Sequence, residues 1–231
     1  DAPMPIHYDW PKVSGRHDPF EAQRETASFL SMQHRAFCLN DMGTGKTNSA
    51  LWAFDYLKRT KSVNKMLVVC PLSTMERTWA DSVFQTFPHL DAVVLHGTRD
   101  RRRKLLAQDA DVNIDGLATI SDALGKRSDI DLIVVDELAL ARNSSTDRWK
   151  ILNLICNKQT QRRVWGMTGS PTPNSPTDAW AQCKLVTPDN ALVPKYFSAF
   201  RDKVMRQLTP FKCASRESAN DVVYNMMQPA I

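Results

Sequence analysis

Hydrophobic positions along the chain follow two alternating periods. Short, nearly continuous apolar runs rich in β-branched residues occupy 35–40, 65–70, 91–95, 112–120, 130–135 and 163–167. Between them, apolar residues recur at helical spacing over 47–58, 74–86, 98–108, 147–158 and 177–186. Runs of the first kind suit strands buried on both faces, and stretches of the second kind suit helices that bury one stripe. Their alternation predicts βαβ units around a buried, mostly parallel central sheet flanked by helices, which is a doubly wound α/β fold. The turn-forming segment 171–176 (PTPNSP) closes the last clear strand. Beyond Thr187 the pattern weakens, although 195–208 keeps helical spacing. The chain therefore divides into an α/β domain over 1–186 and a helical extension over 187–231.

Composition narrows the class without naming a function. A chain of 231 residues can bury a large core, hiding roughly 70–75% of the surface it exposes unfolded. With 42% hydrophobic residues, 8 Gly and 13 Pro, it is neither collagenous nor a low-complexity chain. No apolar run nears the ~18 residues of a membrane span. The opening DAPMPIHYDW has no basic and apolar regions of a leader, and its lack of an initial Met reads as an excised fragment. Cys38, Cys70, Cys156, Cys183 and Cys213 are odd in number and widely spaced, unlike a disulfide framework or zinc cluster, so a reducing, cytoplasmic setting is expected. The five histidines show no ligand spacing, and Trp52, Trp149, Trp165, Met226 and Met227 sit among apolar neighbours that suggest packing. A net charge of +5 permits a polyanionic partner without requiring one.

Two segments carry chemistry. Between a strand-like run and a helix, residues 40–47 read NDMGTGKT. Glycines let backbone N–H groups turn around phosphate oxygens at a helix N-terminus. Lys46 would reach the β- and γ-phosphates, and the Thr47 hydroxyl would ligate Mg²⁺. The full G-x-x-x-x-G-K-[ST] pattern has Asn40 at its first position, so the segment alone also fits a glycine turn capping a helix. Residues 130–140 read IDLIVVDELAL, an apolar strand that delivers Asp136 and Glu137 at its carboxyl end, where α/β folds bind ligands. Asp136 would hold the metal directly or through water, and Glu137 would orient and deprotonate an attacking water. Together the two segments point to an ATP and Mg²⁺ site.

These motifs, with three others in order, resemble the first RecA-like domain of superfamily-two helicases, and within them Swi/Snf-type DNA translocases of phage or bacterial kind. The stretch HDPFEAQRETASFL at 17–30 resembles the Q-motif region, which implies that Gln23 reads the adenine edge. The glycine loop resembles D-E-M-G-x-G-K-T, making Met42, Gly43, Thr44, Gly45, Lys46, Thr47 and Asn48 the nucleotide-binding set. MLVVCPLSTMERTWADSVFQ at 66–85 resembles motif Ia, Trp79 included, and VVDELALARN at 134–143 resembles motif II with Ala139 where His is commoner. GMTGSPTPNSPTDAW at 166–180 resembles motif III, so Thr168, Gly169 and Ser170 would couple nucleotide state to the nucleic-acid face.

The resemblance implies a motor that couples MgATP hydrolysis to movement on double-stranded DNA, by duplex tracking more than strand separation. It places Pro71, Ser73 and Thr74, and the region of Asn113, on the loops that contact DNA phosphates. Arg102 and Arg103, within the basic run 99–104, are either further phosphate contacts or a solvated helix face. Motifs IV to VI and the arginine fingers of a second RecA-like domain do not appear before Ile231, so the chain reads as an N-terminal half with weak turnover by itself. Two other classes stay open: a different P-loop enzyme such as a small-molecule kinase, and a nucleic-acid-binding module without turnover.

Overall fold

In the computed structural model, residues 8–13, 18–116, 121–209, 212–228 and 230–231 are described. Six strands form one sheet: β1 (Arg35–Cys38), β2 (Lys65–Val69), β3 (Ala92–Leu95), β4 (Val112–Asp115), β5 (Ile130–Asp136) and β6 (Arg163–Met167). Their order is β1-β6-β5-β2-β4-β3, and every pairing is parallel. The fold is thus the α/β arrangement around a parallel central sheet that the hydrophobic runs predict, and it agrees with the RecA-like domain that the resemblance implies. The carboxyl ends of β1, β6 and β5 lie side by side, although their chain positions are far apart.

Successive side chains of a strand point to opposite faces, and the core divides accordingly. Leu67, Val69, Ile133 and Val135 join one apolar cluster; Met66, Val68, Leu132 and Val134 join the other. The second cluster is covered by α1 (Glu21–Met32), α2 (Lys46–Arg59) and α3 (Asp81–Thr86), through Leu30, Leu51, Phe54 and Val83. The first is covered by α4 (Arg99–Leu106), α5 (Ser121–Lys126), α6 (Asp147–Asn157) and α7 (Asp178–Val186), through Leu106, Leu124, Leu152 and Leu185. Trp52, Trp165, Met226 and Met227 are buried and Trp149 is half-buried, as their apolar neighbours suggest.

Three expectations change. The stretch 74–86 is not one α-helix: a π-helical turn, Met75–Ala80, precedes α3. The strand expected over 112–120 ends at Asp115, and 117–120 lie outside the described residues. The extension is not wholly helical, because α8 (Phe197–Val204) runs into β7 (Met205–Thr209), which pairs antiparallel with β8 (Lys212–Ser215) before α9 (Ala219–Met227). Phe200, Val204, Val223 and Met226 nonetheless belong to the first core cluster, and the Ala230 carbonyl accepts from Phe37 N on edge strand β1 at 2.6 Å.

Candidate nucleotide site

Strand β1 ends at Cys38, and the chain turns through Asn40–Gly45 into α2. Gly43 and Gly45 take φ of 80° and 85°, a left-handed conformation that other residues adopt only with strain. The Lys46 ammonium folds back and donates to the Asn40 and Asp41 carbonyls, each at 2.8 Å. The Thr44 hydroxyl donates to the Asp41 carbonyl at 2.8 Å. Asn40, in the position usually held by glycine, is accommodated: its amide donates to Thr26 Oγ1 at 2.9 Å, fastening the loop to α1. Gln23, also on α1, accepts from Phe20 N and donates its Nε2 to the Thr44 carbonyl at 3.0 Å. The exposed Met42 side chain lies over Gly169, 3.7 Å from where a Cβ there would stand. The side-chain oxygen of Asn48 is buried in the first turn of α2 with no hydrogen-bond partner.

Strand β5 delivers Asp136 to the same rim. Its Oδ2 accepts from Trp79 Nε1 and its Oδ1 from Glu137 N, both at 3.0 Å. Burial raises the Asp136 carboxyl above its ordinary range, against the two N–H donors and the Lys46 charge. The strand order β1-β6-β5 sets the Lys46 loop, which follows β1, and Asp136, which ends β5, on the same rim of the sheet with only β6 between them. Glu137 has φ of 52°, uncommon for a residue with a side chain and of the kind that concentrates at functional sites. Between the two motifs stands the end of β6. Thr168 N donates to the Cys38 carbonyl at 3.1 Å, and Thr168 Oγ1 accepts from Ser170 N at 3.3 Å. The next loop is held by Gln182, whose Nε2 donates to the Pro171 carbonyl at 2.6 Å, and by Asp178, which accepts from Asn174 N and Ser175 N.

The donor set fits Mg²⁺ with a nucleoside triphosphate. Thr47 and Asp136 offer hard oxygens and few of them, as suits an ion that keeps waters and phosphate oxygens as its other ligands. The glycine loop at the start of α2 offers N–H groups to phosphate.

The expected nucleic-acid residues separate into two groups. Pro71, Ser73 and Thr74 form a turn at the carboxyl end of β2, with Ser73 exposed. Pro71 and Ser73 line a cavity of about 440 Å³ together with Asp136, Glu137, Leu140 and Arg148. Asn113 is a correction: it lies within β4, fully buried, and its amide faces the Ala110 carbonyl at 3.4 Å, so it contacts no phosphate. Arg102 is another. Its guanidinium is buried, pairs with Asp115 and donates from Nε to the Leu95 carbonyl at 2.9 Å. The basic run is therefore not one solvated face, although Arg103 remains exposed. The contact between Trp79 and Asp136 is not legible from residue spacing, because 57 positions separate them.

A glycine loop and an acidic strand end placed across a parallel sheet define a RecA-like P-loop domain. The chain belongs to the SNF2-related domain family, whose model matches residues 23–231. It is 28% identical over 165 residues to the chromatin-remodeling ATPase INO80 of Lodderomyces elongisporus, covering 64% of this chain and 10% of that protein. It is 28% identical over 179 residues to putative protein p41 of Acyrthosiphon pisum secondary endosymbiont phage 1, covering 72% of this chain and 38% of that one. The Sulfolobus solfataricus SWI2/SNF2 ATPase core in complex with dsDNA superposes with a TM-score of 0.72 at 21% identity, covering 96% of this chain and 45% of its own. The chain thus spans less than half the length of each. Among the described residues, no helix is long and apolar enough to cross a membrane.

Proposed function

We propose that this chain is the ATP-binding, N-terminal half of an ATP-dependent DNA translocase that couples MgATP hydrolysis to movement on duplex DNA. The observation that carries the reading is the convergence of the Lys46 loop, the Thr168 turn and the Asp136–Glu137 pair at three adjacent strand ends. Bound Mg²⁺ would neutralise charge developing on the transferred phosphate. The protein's own groups position it. Thr47 and Asp136 hold the ion, and Lys46 exchanges the Asn40 and Asp41 carbonyls for β- and γ-phosphate oxygens. Glu137 orients the attacking water and takes its proton. Gln23 reads adenine while bracing the loop through Thr44, and Asn48 supplies its unpaired oxygen to the nucleotide side. Thr168, Gly169 and Ser170 pass the nucleotide state onward: Thr168 is hydrogen-bonded to Cys38 at the end of β1, Gly169 lies beside Met42 and Asn40 of the loop, and Ser170 is hydrogen-bonded to Thr168.

Duplex phosphates are assigned to Pro71, Ser73 and Thr74, with Arg103 at the periphery. The solved dsDNA complex of a similar fold supports that partner. A second RecA-like domain would complete the site with its arginines.

The test is ATP turnover by the full native protein containing these residues, with and without duplex DNA, beside Glu137→Gln. Stimulation by duplex that is abolished in the variant, with ATP binding retained, is the expected result. Turnover indifferent to nucleic acid overturns the translocase reading.

A further inference from the structure

The Asp136 carboxylate is held on two sides. Glu137 N, from its own backbone, secures Oδ1; Trp79, from a different strand connection, secures Oδ2. Trp79 is wholly buried, so its N–H finds no water if the carboxylate rotates away, and an N–H bond to a carboxylate is among the stronger hydrogen bonds. Asp136 therefore cannot turn unless Trp79 moves.

Trp79 is equally tied at its other end. Thr78 N and Trp79 N both donate to the Thr74 carbonyl, at 3.2 and 3.1 Å, and the second of these closes the π-helical turn. Such turns are rare and occur mostly at functional sites. The extra residue rotates everything after it by about 100° relative to a regular α-helix, and this aims the indole at β5. Thr74 in turn donates from N and Oγ1 to the Pro71 carbonyl, each at 3.0 Å. Beneath the turn lies Gly116, where a Cβ would run into Leu72 and come within 3.1 Å of Met75 Sδ. The turn is thus seated at its base while Leu72 and Ser73 face solvent. Strands β2 and β5 are direct neighbours, with Val69 opposite Val135, so this chain of bonds is short.

We propose that Trp79 is a positioning residue that links the turn at 71–74 to the Asp136 carboxylate, so that whatever binds the turn sets how that carboxylate meets Mg²⁺. The inference rests on the proposed assignment of duplex DNA to the turn and of Mg²⁺ to Asp136. DNA that shifts the turn moves the Thr74 carbonyl, the indole and then Oδ2. Nucleic-acid binding is read at the metal in this way without any contact between DNA and nucleotide.

The experiment replaces Trp79 in the full native protein, first by Trp79→Phe and then by 3-benzothienylalanine at the same position. Phenylalanine removes the N–H but also leaves space in the core, so its thermal unfolding is measured in parallel. The benzothienyl side chain keeps the volume and shape of indole and lacks only the donor. Turnover is followed against Mg²⁺ concentration, with and without duplex, and ATP binding is measured in chelator. With the isostere, chelator-resistant ATP binding stays at the wild-type value, the Mg²⁺ midpoint rises about tenfold, and duplex no longer speeds turnover. A packing role alone leaves both the Mg²⁺ midpoint and the stimulation unchanged. If the wild type is stimulated and the isostere shows either property intact, this inference fails and the functional reading stands. If the wild type ignores duplex, both fail together.

Discussion

Gln23 and Gly45 compete for one space. A Cβ on Gly45 would run directly into Gln23 Nε2, the atom that donates to the neighbouring Thr44 carbonyl at 3.0 Å. The glycine therefore serves two needs, a φ of 85° and room for the glutamine that braces the loop.

Gly45→Ala is accordingly expected to cost about 1–2 kcal/mol in backbone strain and to lower ATP affinity by about tenfold or more. Because the clash is specific, Gly45→Ala combined with Gln23→Ala should destabilise by less than the sum of the two single changes. Urea unfolding midpoints of the four proteins measure this coupling. Strict additivity would show that the contact carries no energy.

Arg102 and Arg103 are adjacent in sequence and should behave oppositely. Arg102→Ala leaves Asp115, itself buried, without its guanidinium and is expected to destabilise the fold by about 3 kcal/mol or more. Arg103→Ala should leave stability nearly unchanged and, if DNA reaches α4, flatten the salt dependence of DNA binding by about one unit of slope. Thermal unfolding and binding isotherms at several salt concentrations separate the two.

Asp129 supplies a test in acid. Arg127 first, and then Lys65, hold its carboxyl well below the ordinary carboxylate range. The folded chain thus binds fewer protons there than the unfolded one. This contribution is complete above the ordinary carboxylate value and is lost as pH falls through it toward the depressed value. Asp129→Asn should be less stable at neutral pH and show a shallower loss of stability in acid. Denaturant midpoints across that range give the answer, and an unaltered acid limb would contradict it.

Thiol reactivity should mark the core. Burial pushes Cys70, Cys156 and Cys183 up to about 12 and raises Cys38 as well, whereas Cys213 is exposed on β8. Thiolate is the reactive form, so brief iodoacetamide treatment at about pH 8 should alkylate Cys213 alone in the native protein. All five cysteines should react once the chain is unfolded. Mass spectrometry reads both results, and rapid native labelling of Cys70 would show that the region beside the acidic pair opens.

The strands were legible because β2, β4, β5 and β6 bury both faces, so apolar residues run almost continuously along them whatever their neighbours are. The glycine loop and the Asp136–Glu137 strand end were legible for a related reason: their chemistry is written in consecutive residues. The β7–β8 hairpin was not, since β7 is exposed from Arg206 to Thr209 and carries no buried alternation to read.

What the sequence determined by itself is the six strands of the central sheet, most of the helices between them and the local chemistry at their ends. The tertiary structure decided which of those ends meet. Only the strand order brings β1, β6 and β5 together, and only packing puts Arg102 on Asp115, buries Asn113 and aims Trp79 at Asp136. Periodicity reports how much of a residue is buried by its own segment's placement. It does not report the partner across the sheet, because that partner lies tens of positions away and is selected by the packing of the whole domain.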